Sequence, residues 1–201
     1  MLDKSTDLTR YDPVWQQAEP YMRARKNDVH IPLSFAWAQR LLDEYPEADR
    51  DVCSLAILLH DIGWYSIDME DILEKGFRGP NMLQSDVRYL HEEESVRLGT
   101  EVLKTTGWDQ GIVAQVCEII DGHDTRPEPR HLNDRIVRDA DKLWRFDVTG
   151  IAVASDWFKT TPHGYADRLE LQKDTLETEA GRRMANETLA QSRRALMLHV
   201  I

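Results

Sequence analysis

LAILLHDIGWYS, residues 55–66, runs five apolar residues straight into a histidine and an aspartate, with a glycine two positions further on. With Val52 and Cys53 before it, the run is apolar nearly all round. That pattern predicts a fully buried, central helix rather than a surface helix with one greasy stripe. Gly63 is the expected stop signal. His60 and Asp61 then fall in the last turn, where the helix presents its carbonyl end and favours a cation. Neighbouring helical residues point about 100° apart, so the pair can share one ion only if it lies between their directions.

Working outward, the helical period dominates the chain. DPVWQQAEPYMRAR (12–25) begins with Asp12 as N-cap and Pro13 at the first helical position. HIPLSFAWAQRLLDEY (30–45) spaces Leu33, Trp37 and Leu41 four apart, one face of a helix. A loop-like region follows from Trp64 to about Ser85, holding the acidic amphipathic piece IDMEDILEK and the turn-rich GFRGPN. Helical spacing resumes with Val87, Leu90, Leu98 and Val102 and ends at Gly107; Asp109 caps another helix through DQGIVAQVCEII. Two prolines fix TRPEPR as a loop, and LNDRIVRDADKLWRFDV is helical. The charged tail from Tyr165 is helical and docks through Leu169, Leu176, Met184 and Leu196. No stretch alternates with period two. The expectation is an all-α, compact single-domain bundle of roughly eight helices.

Composition narrows the partners. With 25 basic and 36 acidic residues the formal charge is −11, which repels long nucleic acid. RARK (23–26) is the nearest approach to a basic run. Cys53 and Cys117 sit in apolar helical contexts outside any CxxC pair, and read as buried thiols of a reducing compartment. The N-terminus lacks the apolar core of a signal peptide, and no run reaches the length of a membrane span. The expected location is the cytoplasm, with no membrane partner.

Of seven histidines, His131, His163 and His199 sit in loop or terminal contexts. His30, His60, His91 and His123 lie near the ends of different helices, beside apolar sequence, as do Asp61 and Asp141. Ionisable groups are costly to bury alone. Four histidines and two aspartates around one core make sense together if a cation satisfies them, and imidazole with carboxylate suits Mn, Fe, Co, Ni or Zn.

The order His30, His60-Asp61, His91, His123, Asp141, with HDIG and DADKL as local signatures, resembles the HD superfamily of metal-dependent phosphohydrolases over roughly residues 28–145, leaving 146–201 as a C-terminal helical extension. The resemblance implies that His30, His60, Asp61 and Asp141 hold one divalent metal. It also implies that His91 and His123 hold a second, with Asp61 bridging and acting as the catalytic carboxylate. The implied reaction is attack of a metal-bound hydroxide on a small phosphorylated molecule, a nucleotide first among them. Lys142, Arg145 and Arg78 are the candidate substrate-binding cations, with Arg126 a further one in the loops. Glu94, Asp121 and Asp124 are candidates to orient the histidines. Cyclic-dinucleotide-cleaving members carry a lysine after HDIG, where this chain has Trp64. Diiron oxygenases and small-molecule hydratases of HD type would keep the same six ligands, and a ligand-sensing HD domain is a non-catalytic alternative.

Overall fold

Eight consecutive buried residues, Val52 to Leu59, make α3 (Arg50–Leu59) the axis of the molecule. Asp49 starts it, its carboxylate accepting from the amides of Asp51 and Val52. Burial of each large aliphatic side chain contributes about 1.5–3 kcal/mol, so this helix is the most heavily anchored segment. The computed structural model describes residues 7–78 and 85–198. Around α3 pack α2 (Asn27–Glu44), α6 (Gln110–Ile120) and α7 (Leu132–Leu143), with α1 (Asp12–Ala18) and α5 (Asp86–Thr105) closing further sides. A short α4 (Met69–Asp71) continues as a π-helical stretch, Ile72–Arg78. Then α8 (Val148–Trp157), α9 (Pro162–Gln172) and α10 (Glu179–Leu198) pack in succession, α10 returning to α7. No strand occurs among the described residues, as an all-α chain requires, and no helix among them is long and apolar enough to cross a membrane.

The tail docks as its apolar spacing predicts: Leu169, Leu176 and Met184 are buried and Leu196 is partly so. Its second anchor is polar. The buried Asp139 carboxylate on α7 accepts from the amides of Glu177 and Thr178 at 2.7 and 2.8 Å and from the Thr178 hydroxyl at 2.6 Å. Cys53 is buried; Cys117 is only partly so, its sulfur 3.2 Å from the Thr100 hydroxyl.

Three local expectations change. The first helix ends at Ala18, because Pro20 brings no amide donor and the chain tightens to a 3₁₀ turn over Glu19–Tyr21. Tyr11, not Asp12, occupies its N-cap position. The chain then turns through Arg25 and Lys26, both left-handed at φ 52° and 56°, a conformation costing about 1–2 kcal/mol per non-glycine residue. Second, α3 stops at Leu59, and Gly63 lies inside the following 3₁₀ turn, Ile62–Ser66. Gly63 serves close approach instead: a Cβ there would overlap the carbonyl oxygen of His91 and the amide of Ser95. Third, the loop-like region is helical through Arg78. The rest of GFRGPN, residues 79–81, and His199 lie outside the described residues.

Candidate metal centre

Five elements converge on one buried point. The left-handed turn at Arg25 and Lys26 swings the chain into α2, whose first residue, Asn27, donates from its amide nitrogen to the Asp61 carbonyl at 2.8 Å. That clamp sets His30 against the end of α3. His60 is the C-cap of α3, and Asp61 follows at φ −113°, ψ 4°, near the sparsely populated bridge region where many active-site residues sit. His91 comes from α5, held one layer away by the Gly63 contact. Gly122, at φ 94°, reverses the chain after α6 and turns His123 inward. Asp141 comes from α7.

The six side chains form two groups that share Asp61. His30, His60, Asp61 and Asp141 make one; Asp61, His91 and His123 make the other; all are buried, and the ligand-type atoms within each group lie within 4.8 Å of one another. The Asp61 carboxylate divides between them. Its Oδ2 lies 3.3 Å from His30 Nε2 and 3.6 Å from His60 Nε2, while its Oδ1 lies 3.4 and 3.5 Å from the Nε2 atoms of His91 and His123. Asp141 Oδ1 completes the first group at 3.2 and 3.3 Å from the Nε2 atoms of His30 and His60. His60 and His123 each point Nδ1 at a carbonyl, Ile57 at 2.8 Å and Ile120 at 2.9 Å. A carbonyl only accepts, so Nδ1 carries a proton in both rings and Nε2 is the nitrogen turned to the site. Imidazole Nε2 atoms and carboxylate oxygens facing one another at 2.9–3.6 Å form a donor set for cations once any Nε2 proton is released, and the residues fit one or two divalent ions.

Electrostatics prepares most of the set. Burial pushes Asp61 up, but Arg25, His60 and the hydrogen bonds from His123 and His91 outweigh it and hold the carboxyl well below its ordinary value. Asp141 behaves likewise, burial being overcome by Arg145, His30 and His60. Burial drives His30 down to about 4 and lowers His91, keeping both neutral. His123 differs: burial again works to lower it, but Asp61, Asp124 and Glu92 prevail and raise it to about 9.

Beside the six lies a cavity of about 130 Å³, lined by Asp61, His123, Asp124 and Asp141 together with arginines. Arg25 Nη1 sits 3.0 Å from Asp61 Oδ2, its guanidinium between Trp64 and Trp157 at 5.1 and 4.8 Å from the ring centres. Arg145 Nη2 is 3.5 Å from Asp141 Oδ2, and Arg88 pairs with Asp124. Trp64 is fully buried. It stacks on His91 at 4.1 Å and 10°, and its Nε1 donates to Asp61 Oδ1 at 2.9 Å.

Of the candidate substrate cations, only Arg145 reaches this cavity. Lys142 instead turns toward Glu177, 3.8 Å away, and lines a neighbouring hollow. Arg78 donates from Nε to the Trp157 carbonyl and pairs with Glu74, because its π-helical turn faces α8. Arg126 is consumed by Asp134 and the Glu118 carbonyl. Among the candidate orienting acids, Glu94 pairs with Arg97 and Ser66, and the exposed Asp121 offers Arg126 its carbonyl; His60 and His123 lean on backbone carbonyls instead. Asp124 does lie at the cavity. Asp68 caps α4 and Asp71 pairs with Lys75, so the acidic run there starts a helix. The sequence reading missed Arg25, Arg88 and Arg168 as cavity residues. Arg25 stood in RARK, and Arg88 stands three residues before His91 on one helix face, so both had a signal; Arg168, in the charged tail, had none.

The HD domain family matches this chain over residues 30–145. No curated protein matches it. Among solved structures, the chain is similar to a "predicted HD superfamily hydrolase" from an uncultured Thermotogales bacterium, at 20% identity and a TM-score of 0.61, covering 93% of this chain and 89% of the other.

Proposed function

This chain belongs to the HD domain family, and on that premise we propose that it is a metal-dependent phosphohydrolase acting on a small phosphorylated molecule. One observation carries the reading: a single buried carboxylate, Asp61, is shared between two histidine-bearing groups at the wall of an arginine-lined cavity. In this reading His30, His60, Asp61 and Asp141 hold one ion and His91 and His123, with Asp61, hold a second. One or two divalent ions from the series Mn, Fe, Co, Ni or Zn supply Lewis acidity and lower the pKa of water at the site.

The chain's own groups do the rest. Asp61 stays ionised under the charge of Arg25, and Trp64 Nε1 fixes the direction of Oδ1. Arg145 and Arg25 present forked donors that match phosphate oxygens and orient the phosphorus for in-line attack. The carbonyls of Ile57 and Ile120 hold the His60 and His123 rings with Nε2 toward the site. The two unpaired cysteines support a reducing, cytoplasmic setting.

Asp61→Ala is the test. Metal quantification and hydrolysis of a panel of phosphorylated metabolites should both collapse, while the helical circular dichroism persists. Activity that survives in this variant would move the chemistry elsewhere. The buried Trp64, standing where cyclic-dinucleotide-cleaving HD members carry lysine, argues against that substrate class; a diiron oxygenase would keep the same six ligands. Oxygen consumption by the iron-loaded protein, with no phosphate released, would select it.

A further inference from the structure

Four arginines, Arg25, Arg88, Arg145 and Arg168, line the small cavity against three carboxylates, in a chain whose total charge is −11. Three of these arginines have a carboxylate of the site as partner: Arg25 with Asp61, Arg88 with Asp124, Arg145 with Asp141. Arg168 has none within ion-pair distance among the described residues; its guanidinium lies over the Phe158 ring, 4.5 Å from the centre. Stacking on an aromatic face orients a guanidinium without neutralising it. Gln172, four residues further along α9, lines the same cavity, so the two side chains share one helix face. Both come from the segment beyond residue 145, outside the family match.

Size matters as much as charge. The cavity's 130 Å³ is well below the roughly 300–1,000 Å³ of pockets that enclose drug-sized ligands. A phosphoryl group at the ion-binding end would already be matched by the ions and Arg145, leaving the charge of Arg168 for a different group. We infer that the substrate is a compact phosphomonoester carrying a second anionic group a few atoms from the phosphorus, and that Arg168 and Gln172 of α9 bind this second group. The inference rests on the cavity being the substrate site of the proposed hydrolase. A nucleotide would have to leave its base outside the cavity.

The experiment uses the full-length, manganese-loaded protein and three probes: phosphoglycolate, with a carboxylate beside the ester; ethyl phosphate, of similar size without it; and adenosine 5′-monophosphate. Steady-state kinetics gives KM and kcat, and calorimetry gives Kd without requiring turnover. Phosphoglycolate should have the lowest KM and Kd of the three. Arg168→Gln should raise both for phosphoglycolate by about tenfold or more. It should leave kcat, and the ethyl phosphate constants, within about twofold. Arg168→Lys should fall between, since it keeps the charge and loses the fork. Tightest binding of adenosine monophosphate would overturn the inference. So would an Arg168→Gln effect that is equal for phosphoglycolate and ethyl phosphate, or absent. If no probe is hydrolysed yet phosphoglycolate binding depends on Arg168, the hydrolase reading falls and the second-anion site stands. If hydrolysis proceeds without that dependence, the reverse holds.

Discussion

Trp64 and Asp61 are joined side chain to side chain: the indole Nε1 donates to Oδ1 at 2.9 Å while Arg25 faces Oδ2 at 3.0 Å. The shared carboxylate is therefore gripped on both oxygens before any ion is considered. The same indole lies flat on His91, so one residue sets the direction of two members of the second group.

Trp64→Phe keeps a ring over His91 and removes the donor to Asp61. Loss of a buried hydrogen bond to a charged group costs about 1.5–3 kcal/mol. The variant should unfold at lower denaturant and carry less metal, with the deficit in the group of His91 and His123. Chemical denaturation and metal quantification check this; wild-type values in both would remove Trp64 from any positioning role.

His91→Ala should lower the metal content by about one ion per chain if the second group holds its own ion. The first group loses none of its four side chains in this variant. Unchanged stoichiometry by elemental analysis would leave the second group without an ion.

Gly63→Ala should be among the most disruptive small substitutions in the chain. The added methyl would press on backbone atoms of His91 and Ser95, which cannot rotate away as a side-chain tip does. It would also threaten the hydrogen bond from the Gly63 amide to Ser95 Oγ, 2.8 Å. Overpacking of this kind costs about 1–3 kcal/mol and occasionally more. Thermal unfolding should show a clear drop in Tm, and α5 should shift enough to weaken metal binding.

The pH dependence follows from His123, whose pKa is raised from 6.5 to about 9. A raised histidine contributes stability that is fully present below its unfolded value and is lost as the pH climbs through the folded one. Metal-free protein should therefore lose stability between pH 6.5 and about 9. Metal affinity should move the opposite way, rising about tenfold per pH unit over that window, because one proton must leave for each ion bound there. Chelator competition at stepped pH reads the slope; a flat profile would mean that His123 is not displaced by metal.

The legible parts of this protein were those written locally. An apolar run as dense as residues 52–59 has no place but the centre, and four histidines at helix ends announce a shared interior. Asp109 and Gly107 also read correctly, because caps and left-handed glycines act within a few residues. What escaped was written across the fold. Gly63 read as a stop signal, since nothing near it in sequence reveals that the His91 carbonyl passes against its Cα hydrogens. Lys142 sits beside Asp141 in sequence, yet neighbours on a helix point apart, and it faces Glu177. Arg25, on a strained left-handed turn, and Arg168, far along the tail, are brought to the cavity by tertiary structure alone.

Asp139 and Asp141 stand two residues apart on α7, about 200° around the helix. One ties down the chain at Glu177 and Thr178, and the other faces the histidines. The stretch after residue 145 is thus no appendage: its seating and the aim of Asp141 are set by the same rigid rod. A lesion at Asp139, or a clipped C-terminus, would masquerade as damage to the candidate metal centre, and a survey of substitutions that weaken metal binding would draw the site's outline well beyond the residues that touch it.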